Sequence, residues 1–133
     1  MTTILLVDDE PDLLETTKFG LEAEGYDVLT ASDGLEGLAT YQEKRPDLVV
    51  LDVMMPGENG YRVAKLIRDQ EEAENLIPPT PIVLLTARDL SGDPERENMF
   101  MEFSGADQVI YKPFDLDDLV TRLGRILEEN GQP

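Results

Sequence analysis

Short runs of apolar residues alternate along the chain with longer segments in which apolar positions recur every three or four residues. The most pronounced run, LVVLDVMM at residues 48–55, has few polar positions and is followed by the turn-forming pair Pro56 and Gly57. Such a run is typical of a strand buried on both faces of a parallel sheet. Similar runs predict four further strands, at residues 3–7, 27–31, 82–85 and 108–111.

The segments between these runs have the spacing of amphipathic helices. Turn and capping residues mark where each helix begins, namely Pro11, Asp33 with Gly34, Asn59 with Gly60, Asp93 with Pro94, and Asp115. Residues 71–81, acidic and then rich in proline, are predicted to form an exposed connection. Five strands alternating with five helices predict an α/β fold, a doubly wound parallel sheet with helices on both faces. The order of the strands does not follow from periodicity.

The composition sets limits on size, partners and chemistry. With 133 residues the chain is expected to form one domain with a sizeable core. The formal net charge of −18 repels phosphate backbones and anionic headgroups, so nucleic acid and membranes are poor partners. Cysteine and histidine are absent, which excludes disulfides, thiol catalysis and the usual zinc sites and leaves oxygen ligands for Mg²⁺, Mn²⁺ or Ca²⁺. No basic leader or membrane-length apolar run is present, so we expect a soluble, cytoplasmic protein.

Polar residues follow four of the predicted strands at the point where each ends. Asp8 and Asp9 follow the first strand, Asp52 lies at the end of the third, Thr86 of the fourth, and Lys112 of the fifth. In an open α/β sheet, groups just past the carboxyl ends of the strands share a crevice where ligands bind. Each residue type also has a structural explanation: Asp caps helices, Thr suits a strand, and a terminal Lys is often solvated. Their joint occurrence at four strand ends favours a site.

The chemistry of such a site follows from the residue types. If the first and third strands are neighbours, Asp8, Asp9 and Asp52 converge from strands about 4.8 Å apart. Carboxylates that close repel each other, so either a cation neutralises them or at least one pKa rises. Mg²⁺ suits such a cluster because it takes one or two carboxylates together with water and phosphate oxygens. With the ammonium of Lys112 and the hydroxyl of Thr86, the set has the parts needed for phosphoryl transfer to Asp52.

In their order and spacing these motifs resemble the CheY-like receiver domain of response regulators over nearly the whole chain. The resemblance is carried by the acidic Asp8, Asp9 and Glu10 after ILLV, by LDVMMPGENG with Asp52, by LLTA with Thr86, by GAD at residues 105–107, and by KPF at residues 112–114. It implies the sheet order 2-1-3-4-5. Residues 1–129 would form the receiver domain, and residues 130–133 are expected to be a frayed tail or a linker stub.

The resemblance also implies a role for each residue that handles the phosphoryl group. Asp52 is the expected phosphoacceptor. Its phosphoryl group is expected to come from a histidine kinase, a phosphotransfer protein or a small acyl phosphate. Thr86 and Lys112 are expected to bind the phosphoryl group. The peptide bond between Lys112 and Pro113 is expected to be cis, which is credible before proline and rare elsewhere.

A metal site is implied by the same resemblance. Mg²⁺, with Mn²⁺ as the alternative, is expected on Asp9, Asp52 and the backbone carbonyl of Met54, and Asp8 is expected to help through water. The domain would then be a signalling module rather than an enzyme, with at most slow self-catalysed phosphorylation and dephosphorylation. It would bind a downstream target through the surface of the fourth helix, fifth strand and fifth helix, as a monomer or a weak phosphorylation-dependent dimer. Met99, Met101 and Phe103 make that fourth helix unusually apolar, although most of them are predicted to be core residues.

Two features depart from the family pattern. The aromatic switch residue is expected three positions before Lys112, where this chain has Val109, while Tyr111 lies two positions further on the same strand face. We expect an altered switch in which the loop after Thr86 still moves and the aromatic rotation is absent or transferred to Tyr111. The segment between Thr86 and Gly105 is also about four residues longer than the family implies, so that residues 89–94 form a lid, a partner contact or a neutral insertion.

Two functions of other classes compete with the receiver interpretation. A metal-dependent phosphohydrolase with an Asp nucleophile would need a second catalytic carboxylate two residues after Asp52, where this chain has Met54. A binding scaffold that is never phosphorylated would have no need of the complete acceptor set.

Overall fold

Five parallel strands form the centre of the protein and alternate with five helices along the chain. The computed structural model describes residues 2–55, 59–87 and 92–130. The elements are β1 Thr3–Val7, α1 Pro11–Ala23, β2 Asp27–Ala31, α2 Gly34–Lys44, β3 Leu48–Asp52, α3 Gly60–Glu74, β4 Ile82–Thr86, α4 Pro94–Ser104, β5 Gln108–Tyr111 and α5 Leu116–Glu129. The predicted turn at Pro56 and Gly57, residues 89–91 of the longer loop, and the tail at residues 131–133 lie outside the described residues.

The strands lie in the order β2-β1-β3-β4-β5, and every pair of neighbours is parallel. This confirms the predicted α/β class and the sheet order that the resemblance implies. Strand order reverses between β1 and β3, because the chain first moves outward to β2 and then returns past β1. The crevice outside the carboxyl ends of β1 and β3 is where ligands bind in sheets of this kind.

Alternate residues of the strands face two separate core layers. Leu5, Val49 and Leu84 pack with residues of α2 and α3 on one side of the sheet. Leu6, Val50 and Leu85 pack with residues of α1 and α5 on the other. Every residue of β3 and β4 is buried, which explains why their sequences are continuous apolar runs rather than alternating patterns.

The predicted exposed connection at residues 71–81 is wrong at its beginning. Helix α3 continues to Glu74, and Glu71 is buried rather than exposed. The Glu71 carboxylate accepts hydrogen bonds from the Tyr41 hydroxyl at 3.1 Å and the Thr80 amide at 2.8 Å, and it pairs with Arg68 at 2.6 Å. Because these donors satisfy it, an acidic residue can lie inside the protein at this position.

Helix α4 is less buried than the sequence predicts. Met99 and Phe103 are 61% and 47% exposed, so the prediction that most of its apolar side chains belong to the core is wrong for these two. Of the α4 residues, all of which the structure describes, only Ser104 is buried. Phe100 attaches the helix to α3 by stacking on Tyr61 at a ring distance of 4.6 Å.

Within the three described ranges, none of the helices has both the length and the apolar character that crossing a bilayer requires.

Candidate functional site

The carboxyl edge of the sheet brings the predicted site residues to one place. Asp8 and Asp9 follow β1, Asp52 is the last residue of β3, Thr86 is the last residue of β4, and Lys112 follows β5. Val7 pairs with Leu51 across β1 and β3, which puts Asp8 beside Asp52. Asp8 and Asp52 are 4% and 3% exposed, and Thr86 is fully buried.

Four carboxylates form a cluster at this edge. Asp8, Asp9, Glu10 and Asp52 each offer an oxygen, and these oxygens all lie within 4.8 Å of one another. Asp8 and Asp52 form the buried part of the cluster, while Asp9 and Glu10 are exposed at its rim. Because β1 and β3 are neighbours, Asp8, Asp9 and Asp52 converge as expected.

The ammonium of Lys112 lies among these carboxylates. Its Nζ is 3.0 Å from Glu10 Oε1, 3.2 Å from Asp8 Oδ2 and 3.4 Å from Asp52 Oδ1. The side chain of Lys112 is 12% exposed, so it is not the solvated strand-end charge considered above. Its backbone amide donates to the carbonyl of Thr86 at 2.8 Å, which continues the pairing of β4 and β5 into the site.

Burial and crowding change the acidity of Asp52. Its pKa is raised from 3.8 to about 7; desolvation by burial is the largest cause, and the nearby charge of Asp8 acts in the same direction. The ammonium of Lys112 and the amide of Met54 act in the opposite direction without cancelling the shift. One ammonium therefore does not compensate fully for the carboxylates gathered here.

The pKa of Lys112 is raised by its surroundings. Desolvation alone would lower it, but the hydrogen bond to Glu10 and the charges of Asp52 and Asp8 outweigh that effect. The ammonium therefore keeps its charge, which makes it available to an anionic group at the end of β3.

The loop after β1 is shaped by Asp8. Its Oδ1 accepts the amide of Glu10 at 2.9 Å and turns the chain towards α1. The N-cap position of α1 is Glu10 rather than either Asp, and the side chain of Glu10 makes no capping hydrogen bond. Helix capping therefore does not account for Asp8 and Asp9.

The loop after β3 is held close to Asp52. The amide of Met54 donates to Asp52 Oδ1 at 3.3 Å, and the amide of Val53 donates to the Leu85 carbonyl at 2.8 Å. At Gly60 the chain lies beside the end of β3 again, where the Gly60 amide donates to the Val53 carbonyl at 3.0 Å. A Cβ at Gly60 would lie 2.5 Å from the carbonyl oxygen of Asp52, so this close approach requires glycine.

Of the residues expected to form the switch, Thr86 ends β4, and Val109 and Tyr111 lie on β5. Val109 pairs with Leu84 and packs against the core layer under α2 and α3, and Tyr111 pairs with Thr86. Since strand residues two apart face the same way, Tyr111 lies on the side of the sheet that Val109 occupies. The Lys112–Pro113 peptide bond is cis.

A cavity of about 400 Å³ opens beside the cluster. It is lined by Glu10, Leu13, Ala87, Lys112, Pro113 and Phe114. Its walls are mostly apolar, and the Lys112 ammonium and the Glu10 carboxylate are its charged groups.

Glu10 is the site residue that the sequence analysis missed. It was noted as part of an acidic motif but given no role, although it makes the shortest of the three ion pairs of Lys112. Its position next to Asp9 was the available signal. The reach of its side chain to a residue more than a hundred positions away could not be inferred from that signal.

The donor set fits a divalent cation bound by oxygen. Two buried carboxylates lie beside two exposed ones, and the ammonium of Lys112 is the one cationic group that the described contacts place among them. Carboxylate oxygens suit Mg²⁺ or Mn²⁺, and one or two of the four carboxylates would be enough to bind Mg²⁺ together with water.

The sequence and fold of the chain are similar to those of known proteins. The model of the response regulator receiver domain matches residues 4–124. The probable transcriptional regulatory protein TcrX of Mycobacterium tuberculosis is 37% identical over 129 residues, covering 97% of this chain and 51% of that protein. The chain spans about half the length of the curated relatives it matches.

Two solved structures show the likeness in three dimensions. The chemotaxis protein CheY4 of Vibrio cholerae superposes with a TM-score of 0.82 at 34% identity, covering 96% of this chain and 99% of that chain. The response regulator TrrA of Thermotoga maritima, solved in complex with Mg²⁺-BeF, gives a TM-score of 0.78 at 35% identity and covers 96% of this chain and 100% of that chain.

Proposed function

Because this chain belongs to the response regulator receiver domain family, we propose that it receives a phosphoryl group on Asp52 and uses it as a signal. The donor would be a histidine kinase, a phosphotransfer protein or a small acyl phosphate. The observation that carries the proposal is the position of Lys112, whose Nζ lies 3.4 Å from Asp52 Oδ1 while it also contacts Asp8. A carboxylate flanked by an ammonium and by further carboxylates has a nucleophile, a charge-stabilising group and a cation site together.

The cation in this proposal is Mg²⁺, with Mn²⁺ as the alternative. Asp9, Asp52 and the backbone carbonyl of Met54 would hold it, and Asp8 would help through water. When bound, it would neutralise charge on the carboxylates and on the oxygens of the transferring group. The excess of negative charge in the cluster supports this assignment.

The residues of the chain would act on the transferring group in the following way. An oxygen of the Asp52 carboxylate attacks phosphorus, a new O–P bond forms, and the bond from phosphorus to the donor breaks with its electron pair leaving on the donor. The ammonium of Lys112 stabilises charge on the phosphoryl oxygens. The hydroxyl of Thr86 would donate to one of those oxygens in the product.

The output would be a change in partner binding through the surface of α4, β5 and α5. Two large apolar side chains of α4, Met99 and Phe103, are exposed on this part of the molecule. Exposed apolar side chains of this kind are typical of protein contact surfaces. The domain would thus signal rather than turn over a substrate, with a downstream target protein as its second partner and no direct contact with nucleic acid or membrane.

The wider setting belongs to the same proposal. Residues 1–129 would act as the receiver unit and residues 130–133 as a tail or linker stub. We place the domain in the cytoplasm, as a monomer or a weak dimer that forms on phosphorylation. Its net charge of −18 supports the monomer, since two copies repel each other.

Incubation with acetyl phosphate and Mg²⁺, followed by intact mass measurement, tests the proposal. We expect a stable gain of one phosphoryl group in the wild type and none in Asp52→Asn. Rapid consumption of acetyl phosphate without a stable adduct would instead indicate a phosphohydrolase. No change in either quantity would indicate a scaffold and contradict the proposal.

A further inference from the structure

Lys112 has three carboxylate partners, and one of them has no part in the proposed transfer. Asp52 is the acceptor and Asp8 belongs to the cation site, whereas Glu10 was assigned to neither. Glu10 nevertheless lies nearest to the ammonium, at 3.0 Å against 3.2 Å for Asp8 and 3.4 Å for Asp52. The ammonium donates hydrogen bonds to Glu10 and Asp8, and it forms an ion pair with Asp52, so its charge is already shared among three carboxylates.

The oxygens of a phosphoryl group on Asp52 would interact with the same ammonium. The charge of Lys112 stabilises phosphoryl oxygens only as far as it is not already neutralised by another anion. In the proposed transfer Asp8 would help to hold the cation and Asp52 would carry the phosphoryl group, whereas the contact of Glu10 with the ammonium would have no other role. The Glu10 carboxylate therefore competes with the phosphoryl oxygens for the ammonium of Lys112.

We propose that Glu10 is a positioning residue that restrains Lys112, so that its carboxylate competes with the phosphoryl oxygens for the ammonium and slows phosphorylation of Asp52. This inference rests on the proposed function, because it concerns the same ammonium and the same acceptor. Glu10 acts through Lys112 and does not touch the reacting atoms.

The backbone of each partner is fixed, which confines the competition to the side chains. The Glu10 amide donates to Asp8 Oδ1 at 2.9 Å, and Pro11 begins the helix immediately after it. The Lys112 amide donates to the Thr86 carbonyl at 2.8 Å. The side chain of Glu10 is 60% exposed, so it can leave the ammonium without opening the core.

Three variants separate the ion pair from a general effect of charge. Glu10→Gln removes the charge and keeps the length of the side chain, and Glu10→Asp keeps the charge and shortens the reach by one methylene. Glu15→Gln is the matched control, because it removes the same charge from an exposed position on α1. All three are compared with the wild type at saturating Mg²⁺, so that changes in cation affinity do not enter the rates.

The first measurement needs no phosphodonor. In ¹⁵N spectra of the lysine ammonium groups, we expect the Lys112 protons to exchange with water about two- to fivefold faster in both Glu10 variants, the range that a partly exposed ion pair supports. Glu15→Gln should leave that exchange unchanged. Unchanged exchange in the Glu10 variants would overturn the inference.

The second measurement is the rate of phosphoryl gain from acetyl phosphate. We expect both Glu10 variants to gain it about two- to fivefold faster than the wild type and Glu15→Gln to match the wild type. Rates that stay equal or fall in the Glu10 variants would overturn the inference while the wild-type adduct leaves the proposed function intact. A wild type that gains nothing, although Glu10 slows the exchange at Lys112, would instead contradict the proposed function.

Discussion

Gly60 has a geometric role in the site although it carries no functional group. A Cβ at this residue would lie 2.5 Å from the Asp52 carbonyl oxygen and 2.9 Å from Val53 Cα, and both of these are backbone atoms. The end of β3 would have to move to accept a methyl group there. Since Asp52 owes its place among the other carboxylates to that strand end, its side chain would move with it.

We therefore predict that Gly60→Ala lowers the free energy of unfolding by about 1–3 kcal/mol, as overpacking usually does. It should also slow phosphorylation by acetyl phosphate. Gly92→Ala is the control, because a Cβ at Gly92 meets nothing within 4 Å, and its effect should stay within about 0.5 kcal/mol. Urea unfolding measures both variants, and equal losses would contradict the geometric role of Gly60.

Tyr111 is the aromatic residue best placed to respond to the phosphoryl group. It pairs with Thr86 at the end of the sheet, while Val109 in the expected switch position pairs two residues deeper, with Leu84. A ring at Tyr111 therefore lies closer to a moving Thr86 than a ring at Val109 would.

We predict that the ring of Tyr111 changes its environment on activation. In protein labelled with 3-fluorotyrosine, addition of Mg²⁺ with beryllofluoride should shift the ¹⁹F signal that Tyr111→Phe removes. Tyr26, in the cavity between α1 and α5, serves as the internal control and should not shift. A constant Tyr111 signal under conditions that saturate the site would show that no aromatic switch operates on this strand.

At the scale of elements, a buried polar network joins helices α2 and α3 to the start of β4 and β5. Glu71 accepts hydrogen bonds from Tyr41, Arg68 and Thr80. Arg68 also donates to the Gly105 carbonyl at 2.8 Å and to Asp107 at 2.9 Å. The network lies at the amino ends of the strands, opposite the site, and fixes the end of α4 there.

We predict that Glu71→Ala lowers the free energy of unfolding by more than about 2 kcal/mol. The substitution leaves the Tyr41 hydroxyl and part of the Arg68 guanidinium without their carboxylate inside the protein, and unpaired buried groups are costly. Glu72→Ala removes the same charge from the next, exposed residue and should change the value by no more than about 0.5 kcal/mol. Similar urea midpoints for both variants would contradict a stabilising role for the network.

The order and type of the elements could be predicted from the sequence because apolar periodicity reports burial directly. The limits of individual elements could not. Residues 48–55 look like one strand, but β3 ends at Asp52 because Val53 and Met54 follow the turn towards Gly60. Glu71 was assigned to a loop because its charge suggests exposure. The partners that allow its burial could not be foreseen, since Tyr41 is distant in sequence and Thr80 lies beyond the end of α3.

At the scale of the whole molecule, acidic charge is the dominant property. A net charge of −18 on 133 residues destabilises the compact state by self-repulsion, and four carboxylates concentrate part of it at one edge. Salt screens this repulsion because the Debye length falls from about 10 Å at 0.1 M to about 3 Å at 1 M.

We predict two separable effects of cations on the melting temperature. Raising NaCl should increase the melting temperature of the wild type and of Asp9→Asn to a similar extent. Mg²⁺ at matched ionic strength should add a further increase in the wild type, because a ligand of the native state stabilises it, and little in Asp9→Asn. An equal Mg²⁺ increment in both proteins would contradict a specific cation site at Asp9.

The site could be predicted in outline because parallel strands deliver their last residues to a common edge. That rule accounts for Asp8, Asp52, Thr86 and Lys112, whose backbone positions are fixed by the sheet. It does not account for Glu10, whose contact depends on the length and direction of two side chains. Such a side-chain contact is visible in the three-dimensional structure but cannot be predicted from where the strands end.

Identification of the modified residue tests the central claim most directly. Borohydride reduces an aspartyl phosphate to homoserine, so protein treated with acetyl phosphate and Mg²⁺ can be reduced, digested and sequenced by tandem mass spectrometry. The account predicts homoserine at position 52 and none at positions 8 or 9. Homoserine at another acidic residue, or at none while the intact mass shows a phosphoryl group, would contradict it.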